Sequence, residues 1–193
     1  FAHGEVFMSG AFTAYFAANA LRNSGFLDQH PLAGLLAVFA VSMVTSVTVA
    51  VILERVAYRP LRRAPRLVPL ITAIGASFFL QYTFRGFYGS GFKAYPEVSV
   101  LQGSWVLLGG VVSIQRIQVL VIVAAGLLLL ALYTYVQRTR AGKAMRAVSE
   151  DKDVAALMGI DVDAVIVQTF IIGAALAGAA GVLYALMFRQ VHF

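Results

Sequence analysis

An all-α, polytopic transmembrane bundle is the fold class that this 193-residue sequence predicts. Composition, five long apolar stretches and a lopsided placement of basic residues carry that prediction. The hydrophobic set makes up 60% of the chain and charged residues 12%, against roughly 25% charged in a soluble domain. So little charge cannot coat a globule of this size in water. High hydrophobicity equally excludes intrinsic disorder. The chain has no cysteine, which removes disulfide frameworks, Cys-ligated zinc and iron–sulfur clusters.

The first apolar stretch, 6–21, has 16 residues and is short against the roughly 20 needed to cross about 30 Å of hydrocarbon. The second, 32–53, runs without a charge as far as Glu54. Thr72, Ser77 and Gln81 interrupt the third, 67–84, whereas the fourth, 117–136, is a near-continuous series of Val, Ile, Leu and Ala. The fifth, 164–187, is rich in Gly and Ala. These lengths exceed those of strands, so all five read as helices. Pro31 marks the start of the second, and Pro65 and Pro69 flank the start of the third, where a missing N–H is tolerated. Asp161 is placed to cap the fifth, with Asp163 adding negative charge to its first turn. Tyr82, Tyr88, Tyr95 and Trp105 fall near or between spans, where amphipathic rings favour the interface. Residues 85–116 read as a Gly-rich loop, with 98–101 and 105–108 as candidate short strands.

Charge sets the orientation. Segment 54–66 holds Arg55, Arg59, Arg62, Arg63 and Arg66, and segment 138–163 holds Arg138, Arg140, Lys143, Arg146 and Lys152. The connections 22–31 and 85–116 hold only Arg22, Arg85, Lys93 and Arg116. Basic residues favour the cytoplasmic side, and alternation of five spans puts both basic segments there. The net charge of +6 therefore reports topology and contact with anionic lipid heads, not nucleic acid. The chain begins at Phe1 without an initiator Met or a basic signal-peptide region. The expectation is one transmembrane domain over 1–193, incomplete at both ends, with a cytoplasmic segment at 138–160.

Three features bear on function. Gly173, Ala177, Gly181 and Ala185, each four apart, form a small-residue ladder that lets helix backbones approach closely in lipid; Gly10, Ala14 and Ala18 repeat it in the first stretch. Thr72, Ser77 and Gln81 either hydrogen-bond between helices or line a translocation path, because hydrocarbon offers them no partner. No charged residue falls inside the five stretches as drawn, which argues against a proton pump or voltage sensor. The third feature is segment 138–160. Ser149 is a candidate cap, Glu150, Asp151 and Asp153 suit a helix start, and Gly159 suits its end. Ala155, Ala156, Val154, Leu157 and Met158 lie between, so the segment is either a short helix offered to a partner's groove or an ordinary basic loop. HExxH, GxSxG and Walker A patterns are absent, and His3, His30 and His192 are far apart. No catalytic residue, metal site or cofactor is assigned.

Phe1-Ala2-His3-Gly4-Glu5, Glu54-Arg55-Val56-Ala57-Tyr58-Arg59-Pro60-Leu61-Arg62, Leu70-Ile71-Thr72-Ala73-Ile74-Gly75 with Phe79-Leu80-Gln81, and residues 140–160 closely resemble permease subunits of branched-chain amino acid ABC transporters. The likeness runs the whole length and keeps the motif order. It implies an inner-membrane subunit that pairs with a second permease, two cytoplasmic ATP-binding subunits and a periplasmic amino acid-binding protein. It also implies that Glu150, Asp151, Asp153, Ala155, Ala156, Leu157 and Gly159 belong to a segment that couples to the ATPases. The general coupling motif carries Leu-Pro after its Gly, whereas Ile160-Asp161-Val162 follows here. Urea and short-chain amide permeases are close relatives of the family; the stretch 58–62 tilts the substrate towards branched-chain amino acids. A channel or secondary transporter working without an ATPase, and a membrane scaffold, are the rival readings from the residues alone.

Overall fold

The computed structural model describes residues 2–61, 64–65, 67–89, 91, 93–94, 103–107 and 112–191. Helix α1 (Ala2–Asn23) turns through the short α2 (Phe26–Gln29) into α3 (Pro31–Leu53), with Pro31 in its first turn. The chain leaves α3 by a π-helical turn, Glu54–Tyr58, and a 3-10 turn, Arg59–Leu61, before α4 (Leu67–Tyr88). Strands β1 (Lys93–Ala94), β2 (Ser104–Leu107) and β3 (Val112–Gln115) precede α5 (Arg116–Arg138). Two shorter helices, α6 (Arg140–Glu150) and α7 (Lys152–Leu157), lead to α8 (Val162–Phe188), followed by β4 (Gln190–Val191).

The architecture is an all-α bundle. Four helical segments, Pro31–Leu61, Leu67–Phe87, Arg116–Arg138 and Val162–Phe188, are long and apolar enough to cross a membrane. Helix α1 has the length, 22 residues, but His3, Glu5, Thr13, Asn19 and Arg22 lower its apolarity. It starts four residues before the apolar stretch that marks it in the sequence, because nothing between Ala2 and Val6 breaks the helix. Helices α3, α4 and α8 pack against it, half-burying Glu5, Thr13 and Asn19 and leaving His3 and Arg22 exposed.

The core lies where α1, α3 and α8 meet. Val6, Ala50 and Ala174 cluster at one level. Further along, Ala11, Phe12, Ala14 and Ala18 of α1 join Val38 of α3 and Val182, Ala185 and Leu186 of α8. Numbers rise together along α1 and α8 and fall along α3, so α3 is antiparallel to the other two. Small side chains allow close packing, which in lipid replaces the hydrophobic effect as the source of helix association.

The two ends of the bundle differ in charge. Arg55 and Arg59 share a cleft with Asp161 and Asp163, and Tyr58, Leu61 and Ala64 share another with Lys152 and Asp153. The described parts of the two basic segments therefore lie at one end. At the other, Ile117 packs with Leu21 and Leu35 on the core, and two small antiparallel ladders join β1 to β4 and β2 to β3, with Trp105 opposite Ile114. Candidate strand 98–101, Leu108, Tyr95, Arg62, Arg63, Arg66 and His192 lie outside the described residues.

Candidate functional site

Segment 138–160 folds as two helices joined at a sharp corner. Thr139 makes the first corner: its Oγ1 accepts from the Gly142 N–H at 3.0 Å and donates to the Tyr135 carbonyl at 2.6 Å. Helix α6 replaces what composition suggests is loop. Ala141, Ala144, Met145 and Val148 recur at helical spacing, and that was the available signal. The Asp151 carboxylate, rather than the Ser149 hydroxyl, caps α7: Oδ1 accepts from the Asp153 and Val154 N–H groups at 2.8 and 3.0 Å. Ser149 still belongs to α6, where its Oγ donates to the Arg146 carbonyl at 2.7 Å. Its hydroxyl is spent one turn too early to serve.

Helix α7 has six residues, too few to persist on propensity alone. Both ends are fixed. Gly159 takes φ +82°, its N–H donates to the Ala156 carbonyl at 3.0 Å, and the Ile160 N–H donates to the Ala155 carbonyl at 3.1 Å. That pair of bonds is the Schellman motif, which requires a left-handed residue at the glycine. Ala155 is 3% exposed and packs with Val148 and Val165. Val154, Leu157 and Met158 are 54%, 86% and 79% exposed, and Glu150, Asp153 and Ala156 are exposed beside them. Burying one face on α6 and α8 leaves an apolar face open. The chain then enters α8 at once, where Asp161 Oδ1 accepts from the Ala164 N–H at 3.0 Å.

The three polar residues of α4 have different surroundings. Thr72 Oγ1 donates to the Val68 carbonyl in its own helix at 3.0 Å and borders an apolar groove against α3. Ser77 Oγ donates to Glu5 Oε1 of α1 at 3.0 Å. Gln81 stands one turn further along the Ser77 face and is half-buried. A five-residue step turns Thr72 away from the other two. Glu5 lies just before the apolar stretch 6–21, yet α1 includes it, and its neighbour Ser77 is the eleventh residue of the 22 in α4. A charged residue at the middle of a membrane helix costs about 2.5–3.5 kcal/mol on insertion scales, so its presence needs a reason.

The ladder of α8 lies against α1 and α3. A methyl group on Gly181 would stand 2.8 Å from the Phe7 carbonyl oxygen and 3.1 Å from the Ala11 nitrogen. Gly173 adjoins His3, Ala177 packs beside the Val6 cluster, and Ala185 is fully buried. Gly178, beside the ladder, abuts α3, and its carbonyl accepts from Ser42 Oγ at 2.8 Å. Ser46 Oγ donates to the Val6 carbonyl at 3.0 Å. Glu54 is fully buried at the start of the π-helical turn. Sequence reasoning missed it and Glu5 alike, since both stand at the edge of an apolar run. Among the described residues, no group of three or more His, Cys, Asp or Glu could hold a metal ion.

A bundle of membrane-length helices that displays a short, doubly capped helix at its basic end is a multi-pass membrane protein. Residues 1–193 match the family described as branched-chain amino acid transport system / permease component, and the chain belongs to that family. It is 42% identical over 196 residues to the high-affinity branched-chain amino acid transport system permease protein BraD of Pseudomonas aeruginosa, covering 100% of this chain and 62% of that protein. To the permease protein LivH of Escherichia coli K12 it is 40% identical over 186 residues, covering 95% of this chain and 59% of LivH. LivH of Salmonella typhimurium is 39% identical over the same length. The chain thus spans about three-fifths of the length of these relatives. No solved structure matches it.

Proposed function

We propose that the chain is part of a membrane permease subunit of an ATP-driven importer of branched-chain amino acids in the bacterial inner membrane. Its basic end faces the cytoplasm, where two ATP-binding subunits dock. A second permease subunit completes the membrane unit, and a periplasmic binding protein delivers the amino acid. Thr72, Ser77 and Gln81 are the polar positions of the path along α4, and the Gly173, Ala177, Gly181, Ala185 ladder packs the bundle beside it. The observation that carries this reading is α7: a short helix pinned through Ala155 with Val154, Leu157 and Met158 turned outward. Such a face suits insertion into a groove of a partner, and the relatives' names supply the transported class.

Leu157→Asp tests the docking. The variant would place an unpaired charge in the groove, a strongly unfavourable burial, while leaving every span unchanged. It should insert in the membrane, lose at least about tenfold in affinity for the ATPase subunits, and lose leucine uptake. Wild-type uptake and wild-type ATPase retention in this variant would make α7 an ordinary connection.

A further inference from the structure

Glu5 sits where a charge is least welcome. Its partner Ser77 is about 15 Å along α4 from the start of that span. Two residues earlier in α1, His3 adjoins Gly173, the twelfth of the 27 residues of α8. Both neighbours put the carboxylate near mid-depth, away from the headgroups. Packing alone does not call for it. Elsewhere in the bundle a serine hydroxyl on a backbone carbonyl ties helices together, as Ser42 and Ser46 do, without a charge to bury. Glu5 and Ser77 are each half-buried, so the pair is not sealed inside the bundle.

We infer that Glu5 is a substrate-binding residue of the translocation path: its carboxylate receives the ammonium group of the amino acid, and Ser77 positions that carboxylate. This deepens the import reading above and rests on it. An amino acid that sheds water inside the bundle needs an anionic partner for its ammonium, and a charge-assisted hydrogen bond is the strong form of that contact. A neutral urea or amide has no such need. Glu5 therefore favours an amine-bearing substrate over those molecules.

The test uses the complete transporter in proteoliposomes, with full-length permeases, ATPases and binding protein, and measures leucine uptake and ATP hydrolysis in the same vesicles. Glu5→Gln keeps the shape and removes the charge. It should assemble, and leucine imported per ATP should fall roughly ten- to a hundredfold, the worth of one hydrogen bond to a charged group. Glu5→Asp should recover part of the loss. Ser77→Ala should lower the ratio less, and Ser77→Thr should restore it. An unchanged ratio in Glu5→Gln overturns the assignment. So does a Glu5→Gln permease that fails to assemble, because the carboxylate then serves to hold α1 on α4. If wild-type vesicles with every partner import no leucine, the import reading itself is overturned.

Discussion

The Ser42 hydroxyl of α3 donates to the Gly178 carbonyl of α8 at 2.8 Å, across a contact where neither helix leaves room for another atom. Two energies meet there, and they differ in size. Interhelical side-chain bonds in membranes average about 0.6 kcal/mol, whereas overpacking typically costs about 1–3 kcal/mol. A methyl group on Gly178 would lie 2.8 Å from the Ser42 carbonyl oxygen and 3.0 Å from the Met43 Cα. Backbone cannot swing aside as a side chain can. Gly178→Ala should therefore destabilise the detergent-solubilised protein by more than Ser42→Ala, as measured by thermal unfolding. The reverse order would mean that the hydrogen bond, not the close approach, secures this seam.

Gly181 offers a second contrast. Gly181→Leu should reduce assembly in detergent, because the added side chain meets the α1 backbone. Leu128→Ile on α5, a helix with no buried residue, should be tolerated. Size-exclusion profiles of the two variants separate these outcomes, and equal tolerance would refute the packing role of the ladder.

Backbone conformation, not space, governs Gly159. Nothing lies within 4 Å of a Cβ there, but φ is +82°. An ordinary L-residue pays about 1–2 kcal/mol in that region, and a β-branched one more. Gly159→Ala should weaken ATPase association modestly and Gly159→Val severely, read by co-purification. Asp151→Ala removes the cap from the other end, where such losses are typically about 1 kcal/mol; its effect should resemble that of Gly159→Ala.

Topology can be read with single cysteines, since the chain has none of its own. Lys143→Cys lies at the basic end and Ser24→Cys at the other, both at exposed positions. An impermeant thiol reagent outside intact cells should label Ser24→Cys and spare Lys143→Cys until the membrane is opened. External labelling at Lys143 would reverse the proposed orientation.

Legibility in the sequence followed the range of the interaction. Asp161 and Gly159 could be assigned from neighbours because a cap is satisfied within four residues. Pro31 at a helix start follows from its missing N–H. Ser149 misled because it and Asp151 are both competent caps, and only the end of α6 decides between them. Ser77 was visible as a polar residue in an apolar run, but its partner is 72 positions away. No local pattern specifies which helix stands opposite. Glu5 stayed hidden for the same reason, since its depth depends on how far α1 is set against α4 and α8, not on the residues beside it.

Gly10 and Gly178 also have a mechanical meaning. A methyl group on Gly10 would stand 3.0 Å from the Gly178 Cα and would collide with the hydroxyls of Ser42 and Ser46. With main chain against main chain there is no side chain to swing and re-seat, so a one-residue slip would break the serine bonds and create new clashes at once. That interlock favours movement of α1, α3 and α8 together. Helices α4 and α5 bury no residue within their most apolar stretches and carry no such interlock. In the proposed importer, exposing Glu5 to each side of the membrane in turn would fall to motion of α4 across the face of that block, with α7 passing the stroke on through α8.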